Sequence, residues 1–258
     1  MQANQSQTET LAAVREGCAV SDLKQSVGTL LRNLRRGSTA KRNARQLLRG
    51  FDAFGIDLVF DVGANTGQFA REIRDTGFKG RIVSFEPLST AHRELTAAAE
   101  SDPLWSVHER CALGDREGLV ELNVAGNSVS SSILEMAAAH AAAAPGSAYV
   151  GHEQTALLTL DAVAQKHLGG SQRPFLKVDT QGFEWQVLTG AEQTLPSIQG
   201  VLCELSLVVL YEGQHLWRDM VDRLEGAGFT LWGLQPSFMD ARGRNLQSDA
   251  IFFREHER

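Results

Sequence analysis

The sequence predicts an α/β protein built on a mostly parallel sheet with helices on both faces. Apolar strand-like runs alternate with helix-like segments from Leu58 to the end of the chain, the pattern of strands joined by helical crossovers. The first run feeds a glycine-rich turn that opens a helix, Val59-Phe60-Asp61-Val62-Gly63-Ala64-Asn65-Thr66-Gly67-Gln68-Phe69. The chain has 258 residues, 43% apolar and 22% charged, enough for one large core with an appendage, and this composition excludes disorder, collagen and coiled coil.

In order along the chain, Val27, Leu30, Leu31 and Leu34 fall at i, i+3, i+4 and i+7, one helical stripe, with Arg32, Arg35 and Arg36 around it. Gly37 and Ser38-Thr39 break this stripe, and a second short helix is expected from about Ala40 to Leu48, closed by Gly50. These residues, 1–50, read as a basic helical extension of the main domain, 51–258. The expected strands are Leu58–Val62, Arg81–Glu86, Leu104–His108, Leu119–Val124, Ala156–Leu160, Phe175–Val178, Val201–Leu205, Phe229–Leu234 and Ala250–Arg254. Between them, helices are expected at Thr66–Asp75, at Thr90–Glu100 capped by Ser89, at Asp161–Leu168, and at Gln214–Ala227 with Leu216, Met220, Val221 and Leu224 inward. The segment of about 125–153, polar at Asn127–Ser132, then alanine-rich, then Pro145-Gly146, reads as a lid-like insertion or loose loop.

The formal net charge of −6 averages unlike parts: residues 1–50 carry nine Lys or Arg against three acidic residues, the remainder sixteen against twenty-eight. So acidic a body argues against nucleic acid. The basic front either covers an edge of the main domain, docks on an anionic surface such as phospholipid, or packs across a homodimer. Cys18, Cys111 and Cys203 are too few and too scattered for a disulfide framework or a cysteine zinc site. With no basic and apolar leader and no apolar run long enough to span a bilayer, a cytoplasmic location is expected, with peripheral membrane contact left open.

At the end of the second strand stands Glu86, nineteen residues after Gly67, where a carboxylate can accept both hydroxyls of a ribose. The two features together make a nucleoside site. Asn65 replaces the central glycine of a pyrophosphate-binding turn, which disfavours a nicotinamide-dependent oxidoreductase, the alternative enzyme class. An aspartate beside the turn, Asp61, suits a cationic ligand, and S-adenosylmethionine carries a sulfonium and an amino group. Ala112, Leu113 and Asp115, just past the third strand, are then placed to pack and hydrogen-bond the adenine.

The turn DVGANTGQF, the strand end SFEP, ALGDREG, the serine stretch Asn127–Ser132, TLD at Thr159–Asp161, FLKVDTQGFEWQVLTGA, VLCELS and the closing SDAIFFR occur in that order. Together they resemble the FkbM-type methyltransferases, from about Leu58 to Arg254. The resemblance implies a Rossmann-like class I methyltransferase fold with a seven-stranded sheet, S-adenosylmethionine as cofactor, and Asp61, Gly63, Asn65, Gly67 and Glu86 as cofactor residues. It also implies an acceptor hydroxyl on a sugar, glycolipid or polyketide.

Methyl transfer to a hydroxyl requires loss of the alcohol proton, so a base or Lewis acid belongs beside the cofactor. Asp179 and Glu204 end strands that should be neighbours, and Lys177 precedes Asp179 by two residues, on the same side of the sheet. Two such carboxylates permit either general base catalysis, one pKa raised by repulsion, or a magnesium ion held by Asp179 and Glu204. His152, His215 and His140 are further candidate bases, in or near the lid-like insertion and the loop after the Val201–Leu205 strand. Trp185, Tyr211, Trp217 and Trp232 offer stacking faces for a sugar or serve the core. A catalytically silent cofactor-binding scaffold that docks through the basic front is the reading from a different class.

Overall fold

A computed structural model describes residues 41–255. The chain divides into two units, Met1–Gln46 and Leu47–Arg258. Of the first, residues 41–46 are described, and they are helical. The arginine-flanked stripe from Val27 to Leu34 and Cys18 lie outside the described residues.

The second unit opens with helical residues 47–54, termed α1. Gly50 does not close this helix: the turn comes at Gly55, φ 68°, and a Cβ on Gly50 would stand 2.7 Å from the Phe253 ring. The glycine serves close packing of helix on sheet. There follow β1 (Leu58–Val62), α2 (Gln68–Thr76), β2 (Arg81–Phe85), α3 (Ser89–Ala99), β3 (Trp105–Val107), β4 (Cys111–Leu113) and β5 (Gly118–Ala125). Next come α4 (Ala138–Ala143), β6 (Tyr149–Leu158), α5 (Leu160–Leu168), β7 (Pro174–Val178), α6 (Glu184–Thr189), β8 (Gly200–Ser206), α7 (Trp217–Gly226), β9 (Thr230–Met239) and β10 (Asn245–Phe253).

Seven strands form one sheet in the order β3-β2-β1-β7-β8-β10-β9. β1, β2, β3, β7 and β8 pair in parallel, while β10 runs antiparallel to both β8 and β9. β1, β7 and β8 are buried along their whole length, which explains their nearly unbroken apolar sequences: helices cover both faces of a parallel sheet. On one face, Phe51, Phe78 and Phe175 meet edge to face at 4.7 and 5.1 Å with Ile73, Leu95 and Phe253 in the same core. On the other, Val163, Val187, Leu188, Met220 and Leu224 from α5, α6 and α7 close over Phe60, Leu176 and Val201.

Further expectations change. Residues 118–125 and 149–158 form a second, three-stranded sheet, order β4-β6-β5, outside the main one, and Cys111–Leu113, which is not among the expected strands, is one of its edges. The insertion is therefore not a loose loop, because its end is strand β6, laddered residue by residue on β5. Ser89 does not cap α3: Leu88 holds that position, while the Ser89 N–H and hydroxyl both donate to Glu153 at 2.9 Å. Finally, α7 begins at Trp217 and not Gln214, because the Gln214 side chain folds back to accept from the N–H groups of Leu210 and Tyr211 at 2.6 Å.

Candidate active site

The parallel strands deliver their C-terminal ends to one side of the sheet, where loop chemistry concentrates. Ser84, Asp61 and Lys177 stand abreast on β2, β1 and β7, so their side chains share a face. Asp61 is fully buried. It accepts from the Ser84 hydroxyl at 3.1 Å and lies 3.2 Å from the Lys177 ammonium. The expected free negative charge beside the turn is thus met within the protein. Burial alone would lower the Lys177 pKa, but Asp61 and Asp179 outweigh it and hold the ammonium charged. That ammonium also donates to the carbonyls of Gly63 and Val62 at 2.8 and 3.3 Å, tying the start of the turn to β7.

Gly63 takes φ 71°, and a Cβ there would lie 1.8 Å from the Asp179 carbonyl oxygen. Its N–H and that of Ala64 donate to Phe85 O at 3.1 and 3.0 Å, so the turn folds toward Glu86. Asn65 is left-handed, φ 47°; its side-chain oxygen accepts from Thr66 N and from the Ser128 hydroxyl, at 2.8 and 3.2 Å. Ser128 belongs to the insertion, which therefore reaches the turn. Gly67 is demanded by packing, since a Cβ would stand 2.7 Å from Trp105.

Glu86 is buried beside this turn. Its two oxygens accept from the N–H groups of Asn65 and Leu88, each at 2.8 Å. Burial pushes its pKa up to about 7 against the pull of those donors. Each oxygen keeps a second lone pair.

Asp179 and Glu204 do come together, through a residue that pattern reading missed. The Gln181 amide nitrogen donates to Asp179 Oδ1 at 2.8 Å and to Glu204 Oε2 at 3.0 Å. Its oxygen accepts from the Tyr211 hydroxyl at 2.8 Å. Glu204 accepts also from Gln247 at 2.8 Å. Burial, then the Asp179 and Asp249 charges, push Glu204 well above the carboxylate range. Glu184 shapes the loop below: it accepts from Thr180 N and from Gly182 N at 2.8 and 3.1 Å. The only sequence signal for Gln181 was the neighbouring Gly182, a turn marker.

The other candidates are dispersed. His140 is buried against the Tyr211 and Phe238 rings, 5.1 and 5.5 Å away, and burial lowers its pKa. His152 is exposed on β6, 3.9 Å from Glu121. His215 stacks on Trp185 at 3.9 Å, in a 710 Å³ groove with Glu192, Asp219, Asp222 and Arg223. Ala112 packs with Leu157 and Phe183, Leu113 joins the main core, and Asp115 pairs with Arg116 at 3.1 Å; none of these contacts is with the turn. Tyr211 is fully buried and offers no stacking face, while Trp232 meets Phe253 edge on.

Magnesium is not supported. Among the described residues no group of three or more His, Cys, Asp or Glu side chains is placed to hold a metal ion. Between Asp179 and Glu204 the bridging group is the N–H donor of Gln181, where a cation would need acceptors alone. Also among the described residues, no helix is long and apolar enough to cross a membrane.

Burial likewise raises Glu184 and Asp249 to about 7. Together with Glu86, these groups hold protons in the folded chain that the unfolded chain releases near its ordinary carboxylate pKa. Their contribution to stability is complete below that value and is lost as pH rises through about 7. The free energy of unfolding should fall by roughly 1 kcal/mol per group between about pH 6 and 8, melting temperature falling with it, and less steeply in Asp249→Asn. Thermal melts across that range check this.

A seven-stranded sheet with one antiparallel strand inserted between β8 and β9, and a glycine turn facing an acidic strand end, is the Rossmann-like class I methyltransferase fold. The methyltransferase FkbM domain model matches residues 61–231, and the chain belongs to that family of S-adenosylmethionine-dependent enzymes. No curated protein matches it in sequence. Among solved structures it is similar to fibrillarin from Aeropyrum pernix with natively bound S-adenosyl-L-methionine (9% identity, 76% of this chain and 66% of that one, TM-score 0.43). It is also similar to magnesium protoporphyrin IX methyltransferase from Synechocystis PCC 6803 (10% identity, 84% and 81%, TM-score 0.45). The chain spans just under two thirds of the fibrillarin's length.

Proposed function

We propose that this methyltransferase acts on a hydroxyl of a sugar-bearing acceptor, with Asp179 as the general base. The observation that carries this is the exposure of Asp179: its side chain is 39% accessible, while the Lys177 and Asp61 it neighbours are buried. A hydroxyl needs such a group, because its proton must leave as the oxygen bonds to carbon. The sugar class follows from the resemblance to a family that methylates sugar, glycolipid and polyketide hydroxyls.

The residues present fit the cofactor. Glu86, with a free lone pair on each oxygen, would take the ribose hydroxyls, and the close backbone at Gly63, with Asn65, would hold the adjoining part. Gly67 and Asp61 support that turn from below. When bound, S-adenosylmethionine supplies an electrophilic methyl group. On the protein side, Lys177 fixes the turn and Asp179 at once, and Asp179 receives the acceptor proton.

The test is incubation of the full chain with methyl-labelled S-adenosylmethionine and a panel of methyl glycosides, alongside catechol and a primary amine. Label on a glycoside oxygen is expected. Label on the amine or catechol alone, or on no acceptor with cofactor bound, would overturn the reading, the last in favour of a silent scaffold.

A further inference from the structure

Gln181 has a backbone that only a few side chains tolerate, φ 55°, and strain of this kind in a non-glycine residue persists where surrounding contacts over-determine it. Those contacts are all present. Glu184 fixes the N–H groups on either side, at Thr180 and Gly182, and the Gln181 carbonyl accepts from the Ser132 hydroxyl at 2.7 Å. The side chain is held as firmly. Its nitrogen spans the carboxyls of Asp179 and Glu204, and its oxygen takes the Tyr211 hydroxyl proton.

The geometry points to Gln181 as the positioning residue of the reaction, an amide clamp that sets Asp179 against Glu204 and is itself oriented by Tyr211. This rests on Asp179 being the base. A flipped amide would turn its oxygen toward the Asp179 and Glu204 carboxyl oxygens and leave its two N–H groups only the Tyr211 hydroxyl oxygen to share, so the observed orientation satisfies more donors. Asp179 Oδ1 is thereby committed to Gln181. Oδ2, 3.6 Å from the Lys177 ammonium, is the oxygen left to receive the acceptor proton. The Ser132 and Tyr211 contacts make the clamp depend on the insertion: Tyr211 also reaches Ser130 O at 3.3 Å, so the insertion helps to set the catalytic carboxyl.

Gln181→Asn separates this role from a structural one. Asparagine tolerates the left-handed backbone and keeps the amide, but it is one methylene too short to span both carboxyls. In the full chain labelled with ¹⁵N-glutamine, the signal lost in Gln181→Asn identifies the side-chain amide. That signal should move in each of Asp179→Asn, Glu204→Gln and Tyr211→Phe. With a methyl glycoside as probe, Gln181→Asn should lower kcat by about tenfold to a hundredfold, with the KM for S-adenosylmethionine within about twofold of wild type. An amide signal blind to either carboxyl overturns the clamp without any acceptor being needed. Loss of turnover in Asp179→Asn combined with wild-type kcat in Gln181→Asn overturns the role of Gln181 alone. Full turnover in Asp179→Asn overturns the base, and with it this role.

Discussion

Asp179→Asn should lower kcat for methyl transfer by about 10²- to 10⁴-fold, the usual worth of a positioned general base. The substitution is nearly isosteric, and the new side-chain oxygen can still accept from Gln181 where Asp179 Oδ1 does now, at 2.8 Å. Lys177 keeps Asp61 at 3.2 Å and the Gly63 carbonyl at 2.8 Å, so the buried ammonium is not orphaned. The fold and the turn should therefore survive, and calorimetry should find S-adenosylmethionine binding little changed. Labelled-methyl transfer, measured beside that calorimetry, separates chemistry from binding. A kcat within a few-fold of wild type would remove Asp179 from the chemistry.

Gly63→Ala should be the most damaging single methyl group in the domain. The added carbon would lie 1.8 Å from Asp179 O and 2.9 Å from its carbonyl carbon, and both are backbone that cannot rotate away. The φ of 71° adds a penalty for any side chain. Either the end of β1 or the end of β7 must move, and that displaces Asp179 together with the turn. A loss of about 3 kcal/mol or more is expected, a fall in melting temperature of roughly 6–12 °C for a domain of this size. S-adenosylmethionine affinity should fall with it. Gly226→Ala, in α7 with open space around the added carbon, should instead be neutral or stabilising by up to about 1 kcal/mol. Melts of the two variants side by side distinguish a close backbone approach from a general intolerance of alanine.

Much of the frame could be read before any coordinates, because its causes are local. The buried runs of β1, β7 and β8 and the turn at Gly63 each follow from residues within one or two turns of chain. Glu86 was legible for the same reason, as an acidic residue at the end of the next strand. The amphipathic stripe of α7 correctly placed Met220 and Leu224 inward, yet its start was misread, since nothing local announces that Gln214 turns back on Leu210.

Periodicity established a mostly parallel sheet and a glycine turn opposite an acidic strand end; the ordered motifs placed that frame among the methyltransferases. Tertiary structure alone decided which side chains meet. Asp61 and Lys177 are 116 positions apart, and only the parallel register of β1 on β7 makes them an ion pair. Gln181, Glu204 and Tyr211 converge because β7 and β8 are neighbours and the loop after β8 returns over them. Likewise, His152, His215 and His140, ranked in that order as candidate bases from the sequence, lie apart in the fold, on exposed β6, against Trp185, and buried against Tyr211. The physical reason is one of range: backbone preference and hydrophobic period act over a few residues, whereas partners for buried charges are supplied by segments that only the packed sheet brings together.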